Sequence, residues 1–235
     1  MKAKEIVAAL EARGSAEKAA NSAWFFKTGE GQYGYGDKFI GVSVPEQRII
    51  AKEFKDLSLR EIQNLLNSKF HECRLTALII LVNQFKKANE KTRKEIFDFY
   101  IANTKNINNW DLVDSSASQI VGAYLLDKDR KLLYKFARSN SMWERRISVI
   151  STFAFIDQNQ FDDSLEIAKI LINDAEDLMH KAVGWMLREM GKRDLQTLTN
   201  YLNLNAHLLP RTSLRYAIEK YPEATRKRFL AIKKA

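Results

Sequence analysis

The amino-acid sequence predicts an all-α protein, built as an α-solenoid of paired helices. Nine glycines and three prolines in 235 residues leave few positions that interrupt helices. Apolar residues recur with helical spacing in segments of about 10–18 residues joined by short polar loops, and no segment shows the alternation of a strand. Pairs of segments recur about every 35–40 residues, the period of HEAT-like repeats. A compact helical bundle is the structural alternative.

In the first half of the chain, capping residues mark where the predicted helices begin. Ser43 and Glu46 form a capping box, and Ser58 and Glu61 form a second one. The predicted helices are residues 2–13, about 15–28, one opened by Ser43, one from Ser58 to about 67, about 70–88, one capped by Asn89, and one from Trp110 to about Tyr124.

The second half repeats this rhythm, with Ser141 and Glu144 as a further capping box. Its predicted helices are about 128–137, 142–155, 161–172, 175–191, 193–203, 211–220 and 223–232. We therefore expect a single HEAT-like repeat domain over 1–235 that forms a concave, basic groove. Such a groove suits a rod-like ligand such as duplex DNA, and it suits a protein partner equally well.

One glycine-rich segment, at about 29–41, interrupts the helical pattern. Five of the nine glycines lie in it, interleaved with aromatic residues. The segment matches neither the P-loop nor the dinucleotide-binding fingerprint, so we interpret it as a connecting loop. A phosphate site is the alternative, with Lys38 and the loop's tyrosines as the candidates for ligand contact.

The net charge of +9 indicates an anionic partner, nucleic acid first, and a merely soluble basic protein is the alternative. The single cysteine, Cys73, excludes an intramolecular disulfide and lies in an apolar helical run, which predicts a core residue. No apolar run approaches the ~18–20 residues that span a bilayer, and the first residues begin an amphipathic helix instead of a signal peptide. The expected location is cytoplasmic.

The stretch from Asn109 to Asp114 carries the most distinctive chemistry. Trp110 and Asp114 are four residues apart, so on a helix they share one face, and Asp111 is a second carboxylate beside them. A tryptophan beside a carboxylate in a basic chain suggests a cationic ligand. The structural alternative is a capped helix start with Trp110 in the core.

Two further segments combine tryptophan with cations. Trp143 precedes Arg145 and Arg146, which are either phosphate contacts or a solvated face, and Arg146 needs a carboxylate or phosphate partner on its partly apolar flank. In the other segment, Gly184 predicts the close approach of a ligand or a neighbouring helix. The cations of this segment, Lys181, Arg188 and Lys192, follow helical spacing and form a cationic stripe around its tryptophan, Trp185.

No metal site is visible in the sequence, because the three histidines, His71, His180 and His207, lie far apart without partners at ligand spacing. No cofactor is expected, and no pair of nucleophile and base can be identified.

These segments together resemble the AlkD-like DNA alkylation repair family of HEAT-like glycosylases. Three motifs carry the resemblance: Trp110–Asp114, Trp143 with Arg146, and Lys181–Glu189; the stretch Gly41–Arg48 is similar to the family's early helices. The resemblance covers nearly the whole chain in order and spacing. It implies a glycosylase that hydrolyses the N-glycosidic bond of positively charged N3- or N7-alkylated purines in duplex DNA, without a base-binding pocket.

The same resemblance implies a role for each matching residue. Asp114 corresponds to the catalytic carboxylate, and Trp110 and Trp185 correspond to its aromatic neighbours. Arg146 and Arg188 correspond to ligands of the DNA backbone near the lesion, and Trp24 or Phe25 to an aromatic wall beside the substrate. Further residues expected to contact DNA are Lys181, Arg48, Lys192 and Arg145.

The implied chemistry is physically reasonable. An alkylated purine is cationic and leaves as a neutral base, so no general acid is needed. A carboxylate stabilises the oxocarbenium-like sugar and positions water. No lysine is placed as a Schiff-base nucleophile, which predicts a monofunctional enzyme. The alternatives are a non-catalytic binder of damaged or branched DNA and a HEAT-like protein-interaction scaffold, and a monomer is the default assembly.

Overall fold

The computed structural model describes residues 1–233, and the chain forms two compact units that divide between Ser116 and Ala117. Within the described residues every regular element is helical, apart from one isolated parallel bridge between Lys38 and Phe70. The helices of each unit pack in repeats, so the predicted all-α class built from helical repeats is confirmed, and the concave, basic groove stays a prediction. No helix of the described part is long and apolar enough to cross a membrane.

The first unit contains seven α-helices among its described residues. They are α1 (Ala3–Glu11), α2 (Ala16–Phe25), α3 (Val44–Glu53), α4 (Leu59–Leu66), α5 (His71–Lys87), α6 (Glu90–Ala102) and α7 (Trp110–Asp114). A short 3₁₀ turn, Thr104–Asn106, precedes α7.

The described part of the second unit begins with a π-helical turn at Ser118–Gly122 and continues with nine α-helices. They are α8 (Ala123–Leu125), α9 (Lys131–Ala137), α10 (Met142–Ser151), α11 (Phe153–Ile156), α12 (Asp162–Ile170), α13 (Asp177–Arg193), α14 (Leu195–Asn205), α15 (Arg211–Ala217) and α16 (Glu223–Leu230).

Helix α5 forms the centre of the first unit, and α1, α3, α4, α6 and α7 all pack against it. Cys73 is fully buried in this helix, as its apolar surroundings predict, and burial raises the pKa of its thiol. Three ionisable residues are also buried in its first turn, namely His71, Glu72 and Arg74. Buried charged groups need partners, and those partners define the site described below.

The two predicted capping boxes of the first unit have different outcomes. Glu46 accepts a hydrogen bond from the backbone N–H of Ser43 at 3.0 Å, so the box that opens α3 is confirmed. The prediction of a box at Ser58 is wrong, because Glu61 accepts a hydrogen bond from the N–H of Ala3 at 2.8 Å instead. Since α1 packs against α4, Glu61 satisfies an orphan donor at the start of α1.

Two predicted helices are shorter than the sequence pattern indicates. The Trp110 helix was expected to reach about Tyr124, but α7 ends at Asp114 and a π-helical turn follows. The Ser116 hydroxyl contacts the Leu112 carbonyl at 2.5 Å, and such side-chain bonds compete with the helical backbone ladder. The helix expected over 142–155 divides likewise at Thr152, whose hydroxyl bonds the Val149 carbonyl at 2.7 Å.

Gly184 marks a close helix-to-helix contact, which resolves the two alternatives that the sequence left open. A Cβ at this position would lie 2.5 Å from the Ser213 carbonyl oxygen and 2.6 Å from Cβ of Tyr216. Both residues belong to α15, so the element that approaches α13 here is a neighbouring helix.

Candidate functional site

In the first unit, Trp110 lies in a stack of aromatic rings. Its ring centre is 5.3 Å from that of Phe26 with an interplanar angle of 22°, and Phe25 lies 6.0 Å away at 70°. Phe26 stacks in turn on Phe39 at 5.2 Å. The Asn109 side chain accepts the backbone N–H of Trp110 at 2.8 Å at the start of α7. Trp110 is thus half-buried, with part of its ring packed on Phe26.

His71 lies at the end of this stack and is almost fully buried. Its ring is 4.8 Å from Phe26 and 4.9 Å from Phe39. Its Nδ1 is 3.1 Å from Oδ2 of Asp37, and its Nε2 is 2.8 Å from Oδ2 of Asp111. One histidine therefore joins the glycine-rich loop, which carries Asp37, to α7, which carries Asp111.

Asp37 is the centre of a buried polar network. Nη2 of Arg74 donates to its Oδ1 at 2.6 Å, and the Asn109 amide donates to its Oδ2 at 3.1 Å. Burial by itself raises the pKa of Asp37, but the hydrogen bond from His71 and the charge of Arg74 outweigh burial and hold that pKa below its usual range. Asp37 is therefore ionised and anchors the loop to α5 and to the start of α7.

Glu72 fixes the end of the same loop. Its carboxylate accepts hydrogen bonds from the backbone N–H groups of Ile40, Gly41 and Val42, the shortest at 2.7 Å. Gly41 has a φ of +87°, and a Cβ there would lie 2.1 Å from the Ser15 carbonyl oxygen. The glycine-rich segment thus connects α2 and α3 as predicted, and its end is tied to the start of α5.

The two carboxylates of α7 have different surroundings. Oδ2 of Asp111 bonds His71, and its Oδ1 accepts the N–H of Leu112 at 2.9 Å. Asp114 is the last residue of α7, half-buried and one helical turn beyond Trp110. The structure thus places Trp110 and Asp114 at the two ends of α7 and engages Asp111 elsewhere.

The two aromatic residues expected beside the substrate lie at the end of α2. Phe25 is 57% exposed and meets Trp110 edge-on, whereas Trp24 is 83% exposed. Together with Lys27 and Gln32 they border a shallow surface depression. A tryptophan exposed to this degree contributes little to the core.

In the second unit, Trp185 belongs to a cluster of charged residues on α13. Its indole Nε1 donates to Oε1 of Glu189 at 3.0 Å. Glu189 also binds Nζ of Lys192 at 2.7 Å and Nη2 of Arg188 at 3.4 Å, and Arg188 pairs in addition with Glu219. The predicted cationic stripe is therefore partly neutralised by the carboxylates of Glu189 and Glu219.

The other predicted DNA contacts differ in how far their charges are engaged. Arg146 is buried, and its Nη1 donates to the Leu178 carbonyl at 2.6 Å. Arg145 pairs with Asp174 through Nε at 2.6 Å, which favours a structural role, so its contact with DNA stays a prediction. Lys181 pairs with Asp177 at 2.8 Å, and Arg48 is exposed on α3.

Sequence reasoning missed the cluster formed by His71, Asp37, Phe26 and Phe39. The available signal was the polarity of the first turn of α5, where His71, Glu72 and Arg74 interrupt an otherwise apolar helix. Among the residues that the structure describes, no group of three or more His, Cys, Asp or Glu side chains is arranged to hold a metal ion.

Comparison with known proteins identifies the family of this chain and supports its fold. The chain belongs to the family described as DNA alkylation repair enzyme, whose model matches residues 6–221. It is also similar to the solved structure of a predicted DNA alkylation repair enzyme from Enterococcus faecalis, with a TM-score of 0.72 and 16% identity over 90% of this chain and 98% of that one. At this identity the likeness supports the fold. The comparison with curated proteins gives no match.

Proposed function

We propose that the protein is a monofunctional DNA glycosylase that hydrolyses the N-glycosidic bond of positively charged N3- or N7-alkylated purines in duplex DNA. Family membership indicates enzymatic repair of alkylated DNA. The observation that supports the finer assignment is the arrangement of α7, in which Trp110 and Asp114 lie one turn apart on the same helix. This arrangement favours Asp114 as the catalytic carboxylate.

The proposed reaction breaks the bond between C1′ of the sugar and the purine nitrogen. The electron pair leaves with the base, which departs neutral because the alkylated ring began as a cation. Positive charge then develops on the sugar, and the carboxylate of Asp114 stabilises it and accepts a proton from the water that attacks C1′. No covalent enzyme intermediate is needed.

The ring face of Trp110 would stabilise the same developing charge, and the family resemblance predicts this role for Trp185 as well. Such a cation–π contact contributes about 0.5–2 kcal/mol, depending on desolvation. The orientation of Trp110 is set by its stacking on Phe26, and that of Trp185 by its hydrogen bond to Glu189. Each ring is therefore held before substrate arrives, which reduces the entropy lost on binding.

The DNA backbone would be held by the cationic residues that the sequence predicts as DNA contacts. In this proposal Arg146 and Arg188 contact phosphates near the lesion, and Lys181, Lys192 and Arg48 add further contacts. On binding DNA, Arg188 and Lys192 would exchange their carboxylate partners for phosphates. Breaking those ion pairs offsets part of the favourable electrostatic energy of binding.

The proposal is tested by incubating the protein with N-methylated duplex DNA and measuring free 7-methylguanine and 3-methyladenine. A duplex with hypoxanthine, a neutral damaged base, serves as the matched substrate control. We expect release of the cationic bases and no release of hypoxanthine, because only the cationic bases leave without a general acid. Salt-dependent DNA binding without release of either methylated base would contradict the glycosylase and indicate a non-catalytic DNA binder.

A further inference from the structure

The hydrogen bonds of His71 determine its protonation. Both ring nitrogens face carboxylate oxygens, Asp37 at 3.1 Å from Nδ1 and Asp111 at 2.8 Å from Nε2. An ionised carboxylate accepts hydrogen bonds and cannot donate them. Both nitrogens must therefore carry a proton for both bonds to form, and the ring is then an imidazolium cation.

The surroundings of His71 support this charge. The faces of Phe26 and Phe39 lie within 5 Å of the imidazole, a distance suited to cation–π attraction. The charged groups that face the ring are Asp37 of the glycine-rich loop, Asp111 of α7 and Arg74 of α5.

Burial lowers the pKa of His71, and the positive charge of Arg74 acts in the same direction. The hydrogen bonds to Asp111 and Asp37 outweigh both effects, so the pKa of His71 is raised above its ordinary value. This direction agrees with the lowered pKa of Asp37 on the other side of the pair.

We propose that the His71 imidazolium is a positioning residue that holds α7 and the Trp110 ring in place. It joins α7 to the glycine-rich loop through Asp111 and Asp37, and it contacts Trp110 through the intervening ring of Phe26. Loss of the proton leaves a nitrogen lone pair facing one of the two carboxylates. That contact is repulsive, so α7 or the loop must shift, and Trp110 shifts with Phe26.

The role in catalysis rests on the proposed glycosylase activity, whereas the role in positioning Trp110 can be measured without it. The first test is an NMR titration of the full chain that follows the ring nitrogens of His71 and the indole N–H of Trp110. The variants His71→Gln and Trp110→Phe assign the two signals among three histidines and four tryptophans. We expect one shared midpoint, above the ordinary histidine pKa of about 6.5.

Two variants separate this coupling from a general effect on the fold. Asp111→Asn replaces an ionised acceptor of His71 by a neutral amide, and we expect both midpoints to fall together by about one pH unit. His180→Gln is the matched control, because Nε2 of His180 bonds the neutral backbone carbonyl of Asp174 at 2.6 Å. That control should leave both midpoints unchanged. If His71→Gln does not fold, the wild-type protein and Asp111→Asn still give the result.

The proposal is overturned if His71 titrates below about pH 6.5 or if the Trp110 signal does not follow it. The second test measures single-turnover base release and DNA affinity across the same midpoint. We expect the rate to fall above it while affinity is retained. A rate that is constant through the midpoint overturns the positioning role and leaves the glycosylase intact. If the His71 and Trp110 signals share a midpoint but the protein releases no base, the proposed function is overturned. The role of His71 in holding Trp110 then remains supported.

Discussion

The indole Nε1 of Trp185 donates a 3.0 Å hydrogen bond to Oε1 of Glu189, one turn further along α13. The same carboxylate binds Nζ of Lys192 and Nη2 of Arg188. Its side chain is only 11% exposed, so these contacts are poorly screened by solvent. A single glutamate thus orients the tryptophan of the second unit and neutralises cations that are predicted to contact DNA.

Glu189→Gln should strengthen binding to duplex DNA. Glutamine keeps an oxygen that can accept the indole N–H, but it removes the charge that pairs with Lys192 and Arg188. For each cation released to a phosphate, the slope of log K against log salt should steepen by about 0.9. Affinity measured over a series of salt concentrations checks this. Glu223→Gln is the control, since it changes net charge equally but releases the exposed Lys227; equal effects of both variants would contradict the prediction.

Trp24→Ala should lower the affinity for alkylated duplex DNA without lowering the stability of the fold. Because Trp24 is 83% exposed, its loss removes little buried area. A cation–π contact between the Trp24 ring and an alkylated base contributes about 0.5–2 kcal/mol, or roughly 2- to 30-fold in affinity. Binding of alkylated duplex and the urea unfolding midpoint are measured together. Leu204→Ala, at a residue 73% exposed on α14, is the control; unchanged affinity in Trp24→Ala would exclude Trp24 from the substrate contact.

The free energy of unfolding should decrease as pH rises above neutrality. His71 has a raised pKa in the folded state, so the folded protein binds its proton more tightly than the unfolded chain. Its contribution is fully present below the ordinary pKa of about 6.5 and is lost as pH rises through the folded value. Urea unfolding at several pH values checks this dependence. The pH dependence of the free energy of unfolding should be reduced in His71→Gln and unchanged in His180→Gln. If His71→Gln keeps the wild-type pH dependence, His71 is not its source.

Most of the fold could be predicted because its signals are local. Asn89 caps α6 by accepting the N–H of Thr92 at 3.0 Å, and both residues lie within one turn in the sequence. The box expected at Ser58 failed because Glu61 bonds Ala3, which is 58 residues away. Likewise, the sequence periodicity continues past Asp114, and only the packed structure shows where the helix ends.

The candidate site divides in the same way. Trp110 and Asp114 are recognisable from their spacing on one helix. The pairs that His71 forms with Asp37 and Asp111 span 34 and 40 residues, and no local pattern encodes them. The network shows that Asp111 bonds His71. The choice of Asp114 over Asp111 as the catalytic carboxylate rests on its spacing from Trp110 and stays a prediction.

If Asp114 supplies the catalytic carboxylate, removing its charge must slow the single-turnover release of 7-methylguanine from a defined duplex. Asp114→Asn keeps the shape of the side chain and removes its charge, and Asp98→Asn, at an exposed aspartate of α6, is the matched control. We expect Asp114→Asn to slow release by about 10²–10³-fold, as expected for loss of one electrostatic stabiliser of the transition state. Asp98→Asn should retain the wild-type rate. Release by Asp114→Asn at the rate of Asp98→Asn would show that Asp114 is not the catalytic group.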